Sequence, residues 1–452
     1  MSVTTLGVGG AFCTRMARLV HWSQTLSCRA MHTAPATASA TTTNVLERAY
    51  VDLSARRGLL AVSGPDATRF LNGLVTNMPL PGEREGVYSI FLNVRGRILY
   101  DVFIYPAAHN KRWMQMAAVA EQNTAFAPAA DEADRDGATY LVEHDRAVAK
   151  ELFTYLKFRK LRDKVNLRAV NDWRVWFAWE DPVENTRERH LTSQPTTLDL
   201  DPMLRRAPPF IGATDPRAPG MGARVVLSMD ADSPLWPLGV YEDGRVSAFE
   251  PTNLEAYDAR RYTFGVPEGV ADLVPGETLP MEACVDMMGG INFGKGCYVG
   301  QELTTRAKRV GVTRRRIVPF VLYDEKEHVE QQLLEVDNAA DGVRWNCAGV
   351  DRKAPILAAE TMPTFNSRGE VSNSVGAVLS RFHNVGLARV RLDRVVLDGV
   401  SEQEEKKEKY YVVPSDGKGK LLVDEKAVRE RRLMVKMFRP YWWYEEEEVS
   451  AH

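Results

Sequence analysis

The succession of secondary-structure signals along the 452 residues predicts an α+β protein that ends in a small antiparallel β-barrel. Three observations predict it. Strand-like and helix-like runs follow one another without the regular βαβ alternation of a parallel sheet. Residues 87–105 form two apolar runs around a turn signal, as in a hairpin. From Arg314 onward, short apolar runs are separated by Gly, Asn and Asp.

In order, residues 58–63 predict a short buried strand, Gly64-Pro65-Asp66 a turn and cap, and residues 67–77 an amphipathic helix with Phe70, Leu71, Leu74 and Val75 on one face. Residues 87–93 and 97–105 are the hairpin strands, joined by Val94-Arg95-Gly96. Residues 148–164 have helical spacing and a dense basic face, and residues 173–179 predict a strand. Residues 181–219 are polar and punctuated by proline, which predicts a surface insertion or linker, and strand character resumes at residues 225–229. Barrel strands are expected at residues 316–323, 376–379 and 386–391. The mixed-charge run 401–409 predicts a solvated loop, and Trp442, Trp443 and Tyr444 a clamp packed on the barrel before an acidic tail. The domain layout is thus 1–46 as presequence, 47–312 as the α+β region and 313–452 as the barrel.

Composition narrows the function classes. A hydrophobic content of 44%, a charged content of 26% and a net charge of −2 are ordinary for a globular protein and give no global case for nucleic acid or membrane partners. Residues 1–46 hold no Asp or Glu, carry Arg15, Arg18 and Arg29, and are rich in Ser, Thr and Ala, the composition of a mitochondrial transit peptide. Cys13 and Cys28 fall within it, leaving Cys284, Cys297 and Cys347. Three widely spaced cysteines without a CxxC pair describe neither a disulfide framework nor a zinc site, and fall short of the four ligands of an iron–sulfur centre.

The most informative stretch is Lys295-Gly-Cys297-Tyr-Val-Gly-Gln-Glu302, a cysteine between glycines, beside a lysine, entering a helix expected over residues 301–307. Such a setting predicts a nucleophilic or soft-metal-binding thiolate rather than an inert core cysteine. Gly294, Gly296 and Gly300 predict unusual dihedrals or a close approach.

This octapeptide resembles the KGCYxGQE signature of the folate-binding YgfZ-type proteins, relatives of the glycine-cleavage aminomethyltransferase whose mitochondrial members act late in iron–sulfur cluster assembly. The resemblance runs from about Val51 to about Phe320, through residues 63–77, Asn93 to Asp101, Tyr155 to Arg162, Asp215 to Arg224 and Leu279 to Glu282. It implies two intertwined ferredoxin-like α+β units followed by a barrel. It also implies Asp101 as the candidate catalytic carboxylate, and Asp101, Glu282, Lys295, Tyr298 and Gln301 as a candidate tetrahydrofolate site. Pro280 stands where the aminomethyltransferases carry an Arg, and Cys297 where they have an aromatic segment, so the transferase set is incomplete.

The function the resemblance implies is assembly rather than enzymatic turnover: a matrix factor for [4Fe-4S] client proteins acting with an A-type carrier. In it Cys297 completes the ligands of a [2Fe-2S] cluster shared with an A-type carrier, with Cys284 a secondary ligand candidate. The rivals are a folate-dependent one-carbon transferase or demethylase centred on Asp101, and an RNA-linked factor using Arg306, Lys308, Arg309 and Arg314 to Arg316. Membrane partners are not expected, and nucleic acid is disfavoured.

Overall fold

The computed structural model describes residues 48–115, 138–180, 211–229, 249–311, 313–323, 350–368, 370–397, 409–415, 421 and 424–443. The presequence, residues 181–210, Cys347, residues 401–408 and the segment from Tyr444 onward therefore lie outside the described residues. Among those described, no helix is long and apolar enough to cross a membrane.

Two five-stranded sheets and a closed barrel make up the α+β fold. The first sheet has the order β10(Glu250–Pro251), β1(Arg48–Asp52), β7(Trp173–Glu180), β9(Ala223–Ser228), β8(Ile211–Thr214); all its pairs are antiparallel except β1 with β10. The second runs β3(Val87–Leu92), β4(Ile98–Pro106), β5(Thr139–Asp145), β2(Arg57–Ser63), β6(Asn166–Val170), antiparallel throughout. The chain leaves the first sheet after β1, builds the whole of the second, and returns at β7, so the two units are intertwined.

Period-two alternation explains the layers. Leu59 and Ala61 of β2 face the core that also holds Phe103, Val175 and Phe177 from both sheets. Leu60 and Val62 face the opposite way, onto α1(Ala67–Asn72) and α2(Ala149–Lys160) through Phe70, Leu71, Leu152 and Leu156. The barrel, β11(Arg315–Tyr323), β14(Val385–Arg391), β13(Gly376–Phe382), β12(Pro355–Ala358), β15(Tyr410–Val412), β16(Leu433–Met437), is antiparallel at every pair. Its Ile317, Val321 and Leu387 enter the same core as the sheets, so the barrel is packed onto the α+β region. The helices α3(Leu254–Thr263), α4(Gly269–Asp272) and α6(Glu425–Arg431) complete the described elements with α5(Gln301–Val310).

Two expectations need correction. The first helix ends at Asn72 and not Asn77, because Thr76 is drawn across to the hairpin: its N–H donates to Ile90 O at 3.1 Å and its hydroxyl to Gly290 O at 2.6 Å. Residues 211–219 are not a surface linker. Ile211 to Ala213 are buried in β8, and Asp215 and Arg217 are buried as an ion pair, so polar residues that read as solvated are matched internally. The aromatic clamp is found as expected, with Trp443 packed against the barrel core, and Trp442 also ties it to the α+β region, its indole N–H donating to Phe264 O at 2.9 Å, at the end of α3.

Between the sheets lies a buried charge network. Arg57 of β2 bonds Glu143 of β5 at 2.7 Å and Asp101 of β4 at 3.0 Å. Arg224 of β9 reaches Glu143, Glu268 and the Tyr257 hydroxyl, and Arg217 pairs with Asp215 at 2.6 Å and Glu268 at 2.9 Å. Burial opposes the Glu268 charge, but Arg224, Arg217 and Arg57 outweigh it and hold the carboxyl well below its usual range; Asp215 is held low in the same way by Arg217 and Arg224.

Such depressed carboxyls contribute stability that is present above their unfolded pKa values and is lost as pH falls through the folded ones. Acid titration of thermal stability is therefore expected to show a loss beginning near pH ~4.5 and extending well below it. Glu268→Gln, which strands Arg217 and Arg224, is expected to cost about 3–5 kcal/mol and to flatten that acid limb. An unchanged denaturation midpoint in this variant would show the network to be dispensable.

Candidate functional site

The motif loop is built by the segment that follows α1. The Lys295 ammonium donates to Asn72 O at 2.6 Å and Val75 O at 2.8 Å, carbonyls left free where α1 ends. Val299 N–H donates to Gly73 O, Asn292 N–H to Thr76 O, and the Asn77 amide to Gly289 O. Lys295 also lies 4.5 Å from the centre of the Tyr298 ring. Burial pulls the Lys295 ammonium down to about 8, with the Cys297 thiol opposing, and pushes the Tyr298 phenol up to about 12. Lys295 is thus an anchor for the loop, and Tyr298 is its buried foot.

Glycines do two different jobs here. Gly300, the N-cap of α5, has φ +80°, and a Cβ there would meet Asn93 O at 2.5 Å. Gly96, the hairpin turn, has φ +66° and would meet Leu303 Cβ at 2.9 Å. Hairpin and motif helix are interlocked through these two bare backbones. Gly296 is different: its φ lies outside the left-handed region, and a Cβ added there would meet nothing within 4 Å. The fold does not require glycine beside Cys297, and the space there is open.

Cys297 is exposed, four positions ahead of the first residue of α5, which carries Glu302 in its first turn and Lys308 and Arg309 in its last. Gln301 opens that helix, its N–H donating to Tyr298 O at 3.3 Å. Cys284 is the opposite case. It is buried with φ +57°, its sulfur 3.9 Å from Ile317 O on the first barrel strand, and burial pushes its thiol up to about 12. Packing against the barrel leaves Cys284 without the exposure a ligand at Cys297 would need. Among the described residues no group of three His, Cys, Asp or Glu side chains is placed to hold a metal.

The remaining candidates do not converge on the loop. Asp101 is 3% exposed within the inter-sheet network, where one carboxylate oxygen accepts from Arg57 and the other from Gly269 N–H at 3.1 Å. Burial raises its pKa, Arg57 opposes and Glu268 adds to the rise. Glu282 lines a cleft of about 280 Å³ with Pro280, Leu303, Thr304, Arg314 and Arg315, and accepts from Leu279 N–H at 3.3 Å. With Asp101 spent on Arg57, Lys295 on carbonyls and Tyr298 on the core, the five residues expected around tetrahydrofolate do not form one donor set. Sequence reasoning missed Arg57, Glu143 and Glu268; charged residues inside apolar alternating runs, as in Arg57 to Ser63 and Thr139 to Asp145, were the signal for the first two.

Two outcomes are expected from this geometry. Iodoacetamide should alkylate Cys297 in the native protein and Cys284 only after unfolding, as mass spectrometry of the labelled peptides would show; native labelling of Cys284 would contradict its burial. Gly300→Ala should lower stability by roughly 1–3 kcal/mol, while Gly296→Ala should leave the denaturation midpoint within about 0.5 kcal/mol.

No family model matches the chain. Curated relatives do. One from Pyricularia oryzae is 35% identical over 76% of this chain and 72% of its own, and one from Aspergillus clavatus is 31% identical over 83% and 77%. A third, from Aspergillus fumigatus, is 31% identical over 93% of this chain and 87% of its own. All three are named iron–sulfur cluster assembly factor IBA57 homolog, mitochondrial. Among solved structures, the glycine cleavage system aminomethyltransferase T of Bartonella henselae aligns with a TM-score of 0.49 and 15% identity, over 88% of this chain and 87% of that one. At that identity and coverage with its curated relatives, the chain belongs to the family of IBA57 homologues.

Proposed function

We propose that this protein is a late-acting factor of the mitochondrial matrix that matures [4Fe-4S] proteins by presenting Cys297 to a [2Fe-2S] cluster carried by an A-type protein. The names of its relatives support iron–sulfur assembly in mitochondria. The observation that carries the finer reading is the contrast between the two described cysteines: Cys297 exposed on an anchored loop, Cys284 sealed against the barrel. One thiolate cannot hold a cluster that takes four ligands, but it can complete a set supplied by a partner. The open space at Gly296 leaves room for that partner's backbone or the cluster beside the sulfur.

The protein's part in the exchange is to hold the thiol at the surface. Lys295 and Val299 fix the loop on the carbonyls of residues 72–75, and Gly300 sets the entry into α5. The cluster is cargo here, arriving on the carrier and leaving to the client. Nothing in this role needs Asp101, whose carboxylate stays within the inter-sheet network.

Titrating the purified protein into a [2Fe-2S]-loaded A-type carrier and following visible absorbance and Cys297 alkylation tests this. The free chain is expected to be colourless, the cluster spectrum is expected to change on mixing, and Cys297 to become protected. Cys297→Ser should abolish both effects with its fold intact. A stable stoichiometric cluster on the chain alone, or full alkylation of Cys297 in the complex, would contradict the shared-ligand mechanism.

A further inference from the structure

The end of α2 carries more than a solvated helix terminus needs. Phe158 is 79% exposed and Leu161 87%, more than any other large apolar side chain among the described residues. Leu161 also sits at φ +45°, a backbone region that L side chains rarely adopt, and gains no burial there. An exposed leucine held in a strained conformation is not explained by folding.

Cations surround this wedge. Among the described residues, Lys157, Lys160, Arg162 and Lys164 form no salt bridge, and Arg159 lies 5.3 Å from the centre of the Tyr155 ring instead. The acids at hand, Asp66 and Asp163, are both taken by Arg69. The wedge is tied to the motif loop through α1. Lys164 N–H donates to Asp66 and Arg69 bonds Asp163 at one end of α1, while Lys295 and Val299 hold the carbonyls at its other end. A helix of six residues is about 9 Å long, so the wedge and the loop stand one short helix apart. Beyond the loop, Arg306, Lys308, Arg309, Arg314 and Arg315 are exposed and likewise form no salt bridge among the described residues. In a chain of net charge −2, exposed unbridged cations thus gather both at the end of α2 and in the segment that follows Cys297.

We propose that Phe158 and Leu161 are the apolar anchor of a docking surface for a protein partner whose face is acidic around an apolar recess. The partner is the one that brings the cluster, so the inference rests on the Cys297 reading above. Exposed apolar side chains ringed by unpaired cations match such a face in charge and in hydrophobic content. An anionic bilayer has the same chemistry, but a bilayer has no metal cargo to place one helix length away at Cys297.

The test is equilibrium binding of the apo A-type carrier to the full chain, at two salt concentrations, beside sedimentation with vesicles of phosphatidylcholine and phosphatidylglycerol. Phe158→Ser combined with Leu161→Ser is expected to weaken carrier binding by about tenfold or more. Lys157→Glu combined with Arg162→Glu should weaken it chiefly at low salt. Neither pair should change thermal stability, since both sites are exposed, and Cys297→Ser should still dock. Undiminished binding by the serine pair, with the cluster still shared, would overturn the wedge and leave the Cys297 reading standing. Docking that depends on the wedge without any cluster at Cys297 would do the reverse. Vesicle binding lost in the serine pair, with carrier binding unchanged, would assign the surface to lipid and overturn the proposal.

Discussion

The fold depends on the buried ion network that joins its two sheets. Arg57, Asp101 and Glu143 come from adjacent strands of one sheet, and Arg224 comes from the other. Glu268 and Asp215 close the circuit from the loops between them. Buried charges of this kind are stable only as a complete set, because each member alone would cost several kcal/mol of desolvation. Four carboxylates, Asp101, Glu143, Asp215 and Glu268, face three guanidiniums, Arg57, Arg217 and Arg224. Asp101 is the member whose pKa is raised overall, by burial that Arg57 only partly opposes, whereas Asp215 and Glu268 are held low by their arginines. A charge set so closely matched orients both sheets, and with them the hairpin and α1 on which the motif loop is laid.

From that frame to Cys297 the causal path is short. The hairpin turn at Gly96 locks against Leu303 and Gly300, the Thr76 hydroxyl crosses to Gly290, and Lys295 closes on the end of α1. Each contact holds backbone, not the thiol. The result is an anchored loop with an exposed sulfur, which suits the role proposed for Cys297.

Much of this was legible in the residues. Apolar runs gave β2, β7, β11 and β14 to within a residue and the first half of β13, because these strands bury side chains on defined faces, while the short β12, β15 and β16 were not read; the helix after Cys297 was marked by Glu302 at its start and Arg306 toward its end. What failed did so for one physical reason: tertiary pairing overrode local pattern. Thr76 leaves the helix for the hairpin, and in residues 211–219 Asp215 and Arg217 are buried because they satisfy one another. The exposure of Cys297 ahead of a helix was legible, and the pairing of Asp101 was not. Spacing shows that a carboxylate sits on a hairpin strand; it does not show an arginine 44 positions earlier waiting to pair with it.

The central claim is that one exposed cysteine supplies one ligand to a cluster otherwise held by a partner. Native mass spectrometry of the holo complex tests it most directly. The expected species has the mass of this chain, the A-type carrier and one [2Fe-2S] unit, and it disappears with Cys297→Ser while the apo complex persists. A cluster that remains in the complex of the serine variant would contradict it.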